Sequence, residues 1–82
     1  MKNIEKKIKK IISNQFNLNI NSILNTDEFK TNLHADSLDI IELIMSLEKE
    51  FNIEISDKNA EKLKNVQNTI DFIFNKINNH KK

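Results

Sequence analysis

Apolar residues recur at helical spacing in three stretches of the chain, and the gaps between those stretches are polar and rich in asparagine. Residues 2–15 place Ile4, Ile8, Ile11 and Ile12 at steps of four, three and one, with lysines between them. That pattern predicts an amphipathic helix with one apolar stripe and a solvated basic face. From Ser37 to Phe51 two stripes separate. Ile40, Leu43, Leu47 and Phe51 make a core face, while Leu38, Ile41 and Met45 follow similar steps on a neighbouring face beside Glu42 and Glu48. A central helix can bury all seven. The flanking acids and the adaptable methionine favour the second stripe as a partly exposed patch for partner proteins. A last helix, capped by Asn65, sets Val66, Ile70, Ile73, Phe74 and Ile77 on one face.

Residues 16–35 carry Phe16, Leu18, Ile20, Ile23, Leu24, Phe29 and Leu33 without sustained period. They predict a long ordered loop pinned by apolar anchors, with a short helical turn near Ile20 to Leu24. A loop of that length needs anchoring or function, and this one delivers the chain to Ser37. Ile53 and Ile55 anchor a second turn, after which Ser56 or Asp57 can cap a short helix through Ala60 to about Leu63. Residues 78–82, Asn-Asn-His-Lys-Lys, read as a frayed polar tail. No strand pattern is convincing. The expected fold class is all-α: a small four-helix bundle with one short helix and a long loop between the first and second helices. Residues 1–82 are expected to form a single domain.

Composition narrows the function classes. A chain of 82 residues holds one modest core, and a domain of that size removes only about 60% of its unfolded surface from water. Cysteine is absent, which excludes a disulfide framework and a thiolate metal site. No apolar run approaches the roughly 18 residues of a membrane span, and the N-terminus lacks the apolar centre of a secretory signal. A cytoplasmic location is expected. Glycine, proline, tryptophan and tyrosine are missing, and all 13 basic residues are lysine. This is the bias of A/T-rich codons, so individual surface lysines and asparagines carry little functional weight. The net charge of +1 hides a segregation: residues 1–10 balance to +4, residues 27–61 to −7 and residues 62–82 to +4. An acidic middle predicts basic partners. The basic face of the first helix lacks arginine and interleaved aromatics, so no nucleic-acid partner is expected.

The candidate chemistry lies at the start of the second helix. Asp36 suits an N-cap, and Asp39, three positions on, stands where the acid of a capping box belongs. Both charges sit at the positive end of the helix dipole, which favours them by a few tenths to about 1 kcal/mol. Ser37 then occupies the first helical position and projects outward. A serine there is a place to attach or bind something anionic.

Asp36-Ser37-Leu38, followed by Glu42-Leu43 and a helix running to Glu50-Phe51, resembles the acyl carrier proteins of type II fatty acid synthesis. The likeness runs from Ile4-Glu5 to about Ile77 and includes Ala60-Glu61-Lys62, Val66-Gln67 and Ile70-Asp71. The resemblance implies a 4'-phosphopantetheine arm on Ser37, placed there by a phosphopantetheinyl transferase, with Asp36 and Leu38 flanking the attachment point. It implies acyl chains carried on the arm's thiol and shielded in a cleft lined by Leu43, Leu47 and Ile55. It also implies a monomer whose Asp39, Glu42 and Glu48, around Ile41 and Met45, dock fatty acid synthesis enzymes through their basic surfaces. Three departures stand out: His34 where the family has glycine, Ser56 where proline is common, and Lys49 and Lys58 within the acidic surface. If position 34 needs a positive φ, histidine is among the better substitutes.

Other readings fare worse. Ser37, His34 and Asp36 are the residue types of a hydrolytic triad, but they crowd into four consecutive positions, and no glycine is available for a strained nucleophile turn. No intrinsic enzyme activity is expected. Nor is a dedicated metal site, although divalent cations bound loosely among Asp36, Asp39, Glu48 and Glu54 would ease the crowding of acids. The remaining alternatives are a carrier for polyketide, lipid A or alanyl transfer, and an unmodified acidic helical adaptor.

Overall fold

Ile8 and Ile12 are fully buried, and they hold the first helix, α1 (Lys2–Phe16), against the rest of the chain. Burial of each is worth about 1.5–3 kcal/mol relative to exposure. Ile4 and Ile11 pack beside them, while Lys6, Lys7 and Lys10 face solvent, as the four-three spacing requires. The computed structural model describes residues 2–80, with side chains placed for residues 3–78. Asn17 ends α1 in the left-handed conformation at φ 56°, and Leu18 N–H reaches back to the Ser13 carbonyl at 2.9 Å.

The loop that follows contains the expected helical turn, a 3₁₀ segment at Ile20–Ser22 capped by the Asn19 side chain. Ile23 and Phe29 leave the loop for the core, at 3% and 1% exposure. Its backbone is stitched to the far end of the chain. Phe29 N–H donates to the Lys64 carbonyl at 3.1 Å, Val66 N–H to Asp27 at 3.0 Å and Gln67 N–H to Asn25 at 2.9 Å. Glu28 and Asn65 make an isolated antiparallel bridge at the same place. Asn25 Nδ2 completes the junction by donating to Gln67 Oε1 at 2.8 Å and Glu5 Oε2 at 3.4 Å. These bonds are why so long a loop is ordered: they satisfy the polar backbone that a loop exposes.

Helix α2 (Ser37–Phe51) runs antiparallel to α1. Gln15, near the end of α1, bonds Glu42 near the start of α2 at 2.9 Å. Lys7, near the start of α1, pairs with Glu50 at the end of α2 at 3.8 Å. Leu43 and Leu47 are buried to 2% and 0%, with Ile40, Ile44 and Phe51 packed around them. Asn52 closes the helix at φ 54°.

The third helix, α3, is shorter than its sequence suggests. It spans Asp57–Ala60, with Ser56 as its N-cap, and gives way to a turn at residues 61–62 instead of continuing to Leu63. Leu63 is drawn into the core by burial, and its N–H makes a three-residue closure to Ala60 in place of an α-helical bond. Helix α4 (Val66–His80) starts on Asn65, whose side chain accepts from Asn68 N–H at 2.7 Å. Val66, Ile70 and Ile73 are buried and Ile77 packs against them, but it is Phe72 that joins the core while Phe74 stays half-buried outside it. Thr69, fully buried, was not anticipated; its hydroxyl is satisfied by the Asn65 carbonyl at 3.1 Å. The helix continues through His80, so residues 78–80 of the expected tail are helical, and residues 81–82 lie outside the described part. No described helix is long and apolar enough to cross a membrane.

Candidate functional site

The turn leading into α2 is held from three directions. Asn32 and Leu33 N–H both donate to the Glu28 carbonyl, at 2.8 and 3.1 Å, and Ala35 N–H donates to the Phe29 carbonyl at 2.8 Å. His34 takes φ 58° between them, the left-handed value that a histidine tolerates better than most side chains. Asp36 then caps the helix. Its Oδ1 accepts from Asp39 N–H at 2.8 Å, and Asp39 Oδ2 accepts from Asp36 N–H at 3.2 Å. Both halves of the capping box expected from the sequence are present.

Ser37 follows as the first helical residue and is exposed. Among the described residues nothing hydrogen-bonds its Oγ. Asp39 and Ile40 N–H are taken by Asp36, at 2.8 and 3.0 Å, and among the described residues the Ser37 and Leu38 N–H groups are unclaimed at the positive end of the helix. A hydroxyl in that setting can bear an anionic ester without burying its charge.

Beside Ser37 opens a cavity of about 860 Å³. Its apolar wall is built from Phe29 of the loop, Ile40 and Ile41 of α2, Ala60 of α3 and Leu63 before α4; Lys30, Lys64, Asp57 and Glu61 stand among its polar lining. Leu43, Leu47 and Ile55, expected to line a cleft, do not face this opening. They are core residues, at 2%, 0% and 7% exposure. The inward face of α2 reaches the cavity only at Ile40, one turn from Ser37, and carries Leu43 and Leu47 away along the axis. Phe29 was legible as an apolar anchor and Leu63 only as the end of a short helix, and tertiary pairing places them together.

The second stripe of α2 is a surface. Leu38, Ile41 and Met45 are 62%, 54% and 60% exposed, the patch favoured by the sequence pattern. Of the acids expected around it, Glu42 is exposed and holds Gln15. Asp39 is engaged in the cap, and Glu48 Oε2 accepts from Ile55 N–H at 2.8 Å, so both are half-buried and locally bonded. Among the described residues no three histidines or acids converge to hold a metal ion. Asp36, Asp39 and Glu48 each accept one backbone N–H.

The pattern of the phosphopantetheine attachment site family matches residues 6–73. The acyl carrier protein of Buchnera aphidicola subsp. Schizaphis graminum is 60% identical over 76 residues, covering 93% of this chain and 96% of that protein. The acyl carrier protein of Cyanidium caldarium is 47% identical over 76 residues, covering 93% and 88%. Among solved structures, the acyl carrier protein from Enterococcus faecalis superposes with a TM-score of 0.79 at 36% identity, covering 92% of this chain and 95% of its own.

Proposed function

Since the chain belongs to the phosphopantetheine attachment site family, as one of the acyl carrier proteins of fatty acid synthesis, we propose that Ser37 Oγ is the atom that carries its arm. The family's group is a covalent 4'-phosphopantetheine, whose thiol holds acyl chains as thioesters for other enzymes to act on. The protein is a carrier and a substrate, not a catalyst.

One observation carries the assignment to Ser37: an exposed hydroxyl on a doubly capped helix start, next to an apolar opening. What the chain supplies is presentation. Asp36 and Asp39 fix the first turn, the N–H groups of Ser37 and Leu38, unclaimed among the described residues, would favour the negative charge of a phosphodiester there, and the transferase would supply the base for the hydroxyl proton. Leu38, Ile41 and Met45, rimmed by Glu42, Asp39 and Glu48, form the docking face for the transferase and for fatty acid synthesis enzymes with basic surfaces. An acyl chain enters between Phe29, Ile40, Ile41, Ala60 and Leu63. It meets Leu43, Leu47 and Ile55 only by displacing core packing, which makes the depth of the cleft depend on chain length. A monomer in the cytoplasm fits this role.

Incubation with a phosphopantetheinyl transferase and coenzyme A, read by intact mass, tests the site. The wild-type chain gains one arm and Ser37→Ala gains none. Addition to the alanine variant, or an unmodified wild type beside a modified control carrier, rejects the assignment.

A further inference from the structure

His34 holds a left-handed backbone three residues before Ser37, at φ 58°. We propose that His34 is a positioning residue for arm attachment, acting through that backbone conformation and not through its imidazole; the inference rests on Ser37 being the attachment site. The bonds on either side of His34 make its conformation and the aim of Ser37 a single event. Leu33 N–H is fixed to Glu28 O, Ala35 N–H to Phe29 O and Asp36 N–H to the Asp39 carboxylate. Ala35 is also buried, at 7% exposure, so it cannot rotate freely. Moving His34 to negative φ redirects the peptide planes that follow it. The Ala35 bond and the capping box then break together, and Ser37 loses the helix start that presents it.

The imidazole itself has no such part. It is exposed and makes no hydrogen bond among the described residues. The requirement at position 34 is therefore tolerance of the left-handed region. Glycine meets it without penalty, asparagine and histidine meet it well, alanine pays for its Cβ, and a β-branched residue fits worst.

The test is a series at one position: His34→Gly, His34→Asn, His34→Ala and His34→Val, with Ser37→Ala as the control for the site. Transferase kinetics give KM and kcat, amide hydrogen exchange at Ala35 and Asp39 reports opening of the turn, and thermal melts report global folding. Asparagine and glycine variants keep KM within about twofold of wild type, whereas valine raises it about fivefold or more at unchanged kcat, with alanine between. Exchange at Ala35 and Asp39 quickens in the same order. If valine fails to fold, alanine against asparagine still decides. Equal KM across the series overturns the inference, as does loss with asparagine and glycine as large as with alanine, since the imidazole would then be acting directly. Modification of Ser37→Ala overturns the reading of the site instead.

Discussion

Replacing Leu47 with alanine and, separately, Met45 with alanine sets the two stripes of α2 against each other. Leu47 has no exposed surface and lies in the middle of the core face, whereas Met45, two residues away on the same helix, is 60% exposed. Truncating a fully buried leucine costs about 2–5 kcal/mol, from lost transfer energy and from the void left behind. A domain of this size has a total stability of roughly 4–12 kcal/mol, so Leu47→Ala consumes a large share of it. At about 4–8 °C per kcal/mol, a loss of about 3 kcal/mol lowers the melting midpoint by roughly 12–24 °C. Met45→Ala leaves no void and gains slightly in helix propensity, so its effect stays within about 0.5 kcal/mol, or a few degrees. Melts of both variants followed by circular dichroism, with wild type alongside, make the comparison. A midpoint for Met45→Ala as low as that for Leu47→Ala would mean that the second stripe is core and not a docking surface.

Asp36→Ala removes one half of the capping box and costs about 1 kcal/mol, most of which Asp36→Asn retains because its amide oxygen still accepts from Asp39 N–H; equal melting of the two variants contradicts the capping role. Glu42→Lys slows association with a basic partner enzyme at low salt, and the difference shrinks as salt rises, because the charge is exposed and screened. A loss of the same size at high salt removes the electrostatic part of the docking argument. Moderate salt raises the melting midpoint, since ten acids in residues 27–61 face only three lysines there and the Lys7–Glu50 pair is half-exposed and relieves little of the repulsion. A midpoint that falls with salt, or does not move, rules that crowding out.

Local rules explain which features were legible in the sequence. The capping box at Asp36 and Asp39 and the cap at Asn65 involve residues three apart, so spacing predicts them, while for the third helix it left Ser56 and Asp57 open and the structure uses Ser56. The stripes of α1 and α2 follow from helical period, and the exposure of Leu38, Ile41 and Met45 agrees with the acids around them. The left-handed turn at His34 was visible as a condition, stated through the glycine expected there. What escaped depends on pairing across the chain. Thr69 looks like a surface residue, and it is the packing of α4 on the other elements that buries it, its hydroxyl being satisfied locally by the carbonyl of the cap residue Asn65. Phe72 and Phe74 are indistinguishable by propensity, and the roll of α4 decides between them. Leu43, Leu47 and Ile55, which the resemblance implies for the cleft, are buried in this fold, and the opening beside Ser37 is lined by Phe29, Ala60 and Leu63, brought in from separate elements.

The stitching of the loop to residues 64–67 also separates local features of the fold from those that need distant contacts. Helical turns form within about a microsecond from neighbouring residues, but a contact between distant residues must first overcome the entropy of closing the intervening chain. Asn25 and Gln67 are 42 positions apart, and the bonds from Asp27 and Phe29 to Val66 and Lys64 close nearly as long a segment. The capped start of α2 needs only residues 36–40, whereas the wall opposite it, with Ala60 and Leu63, depends on contacts across the chain. The serine and its cap are thus local features of the chain, whereas the opening beside them exists only where separate elements meet.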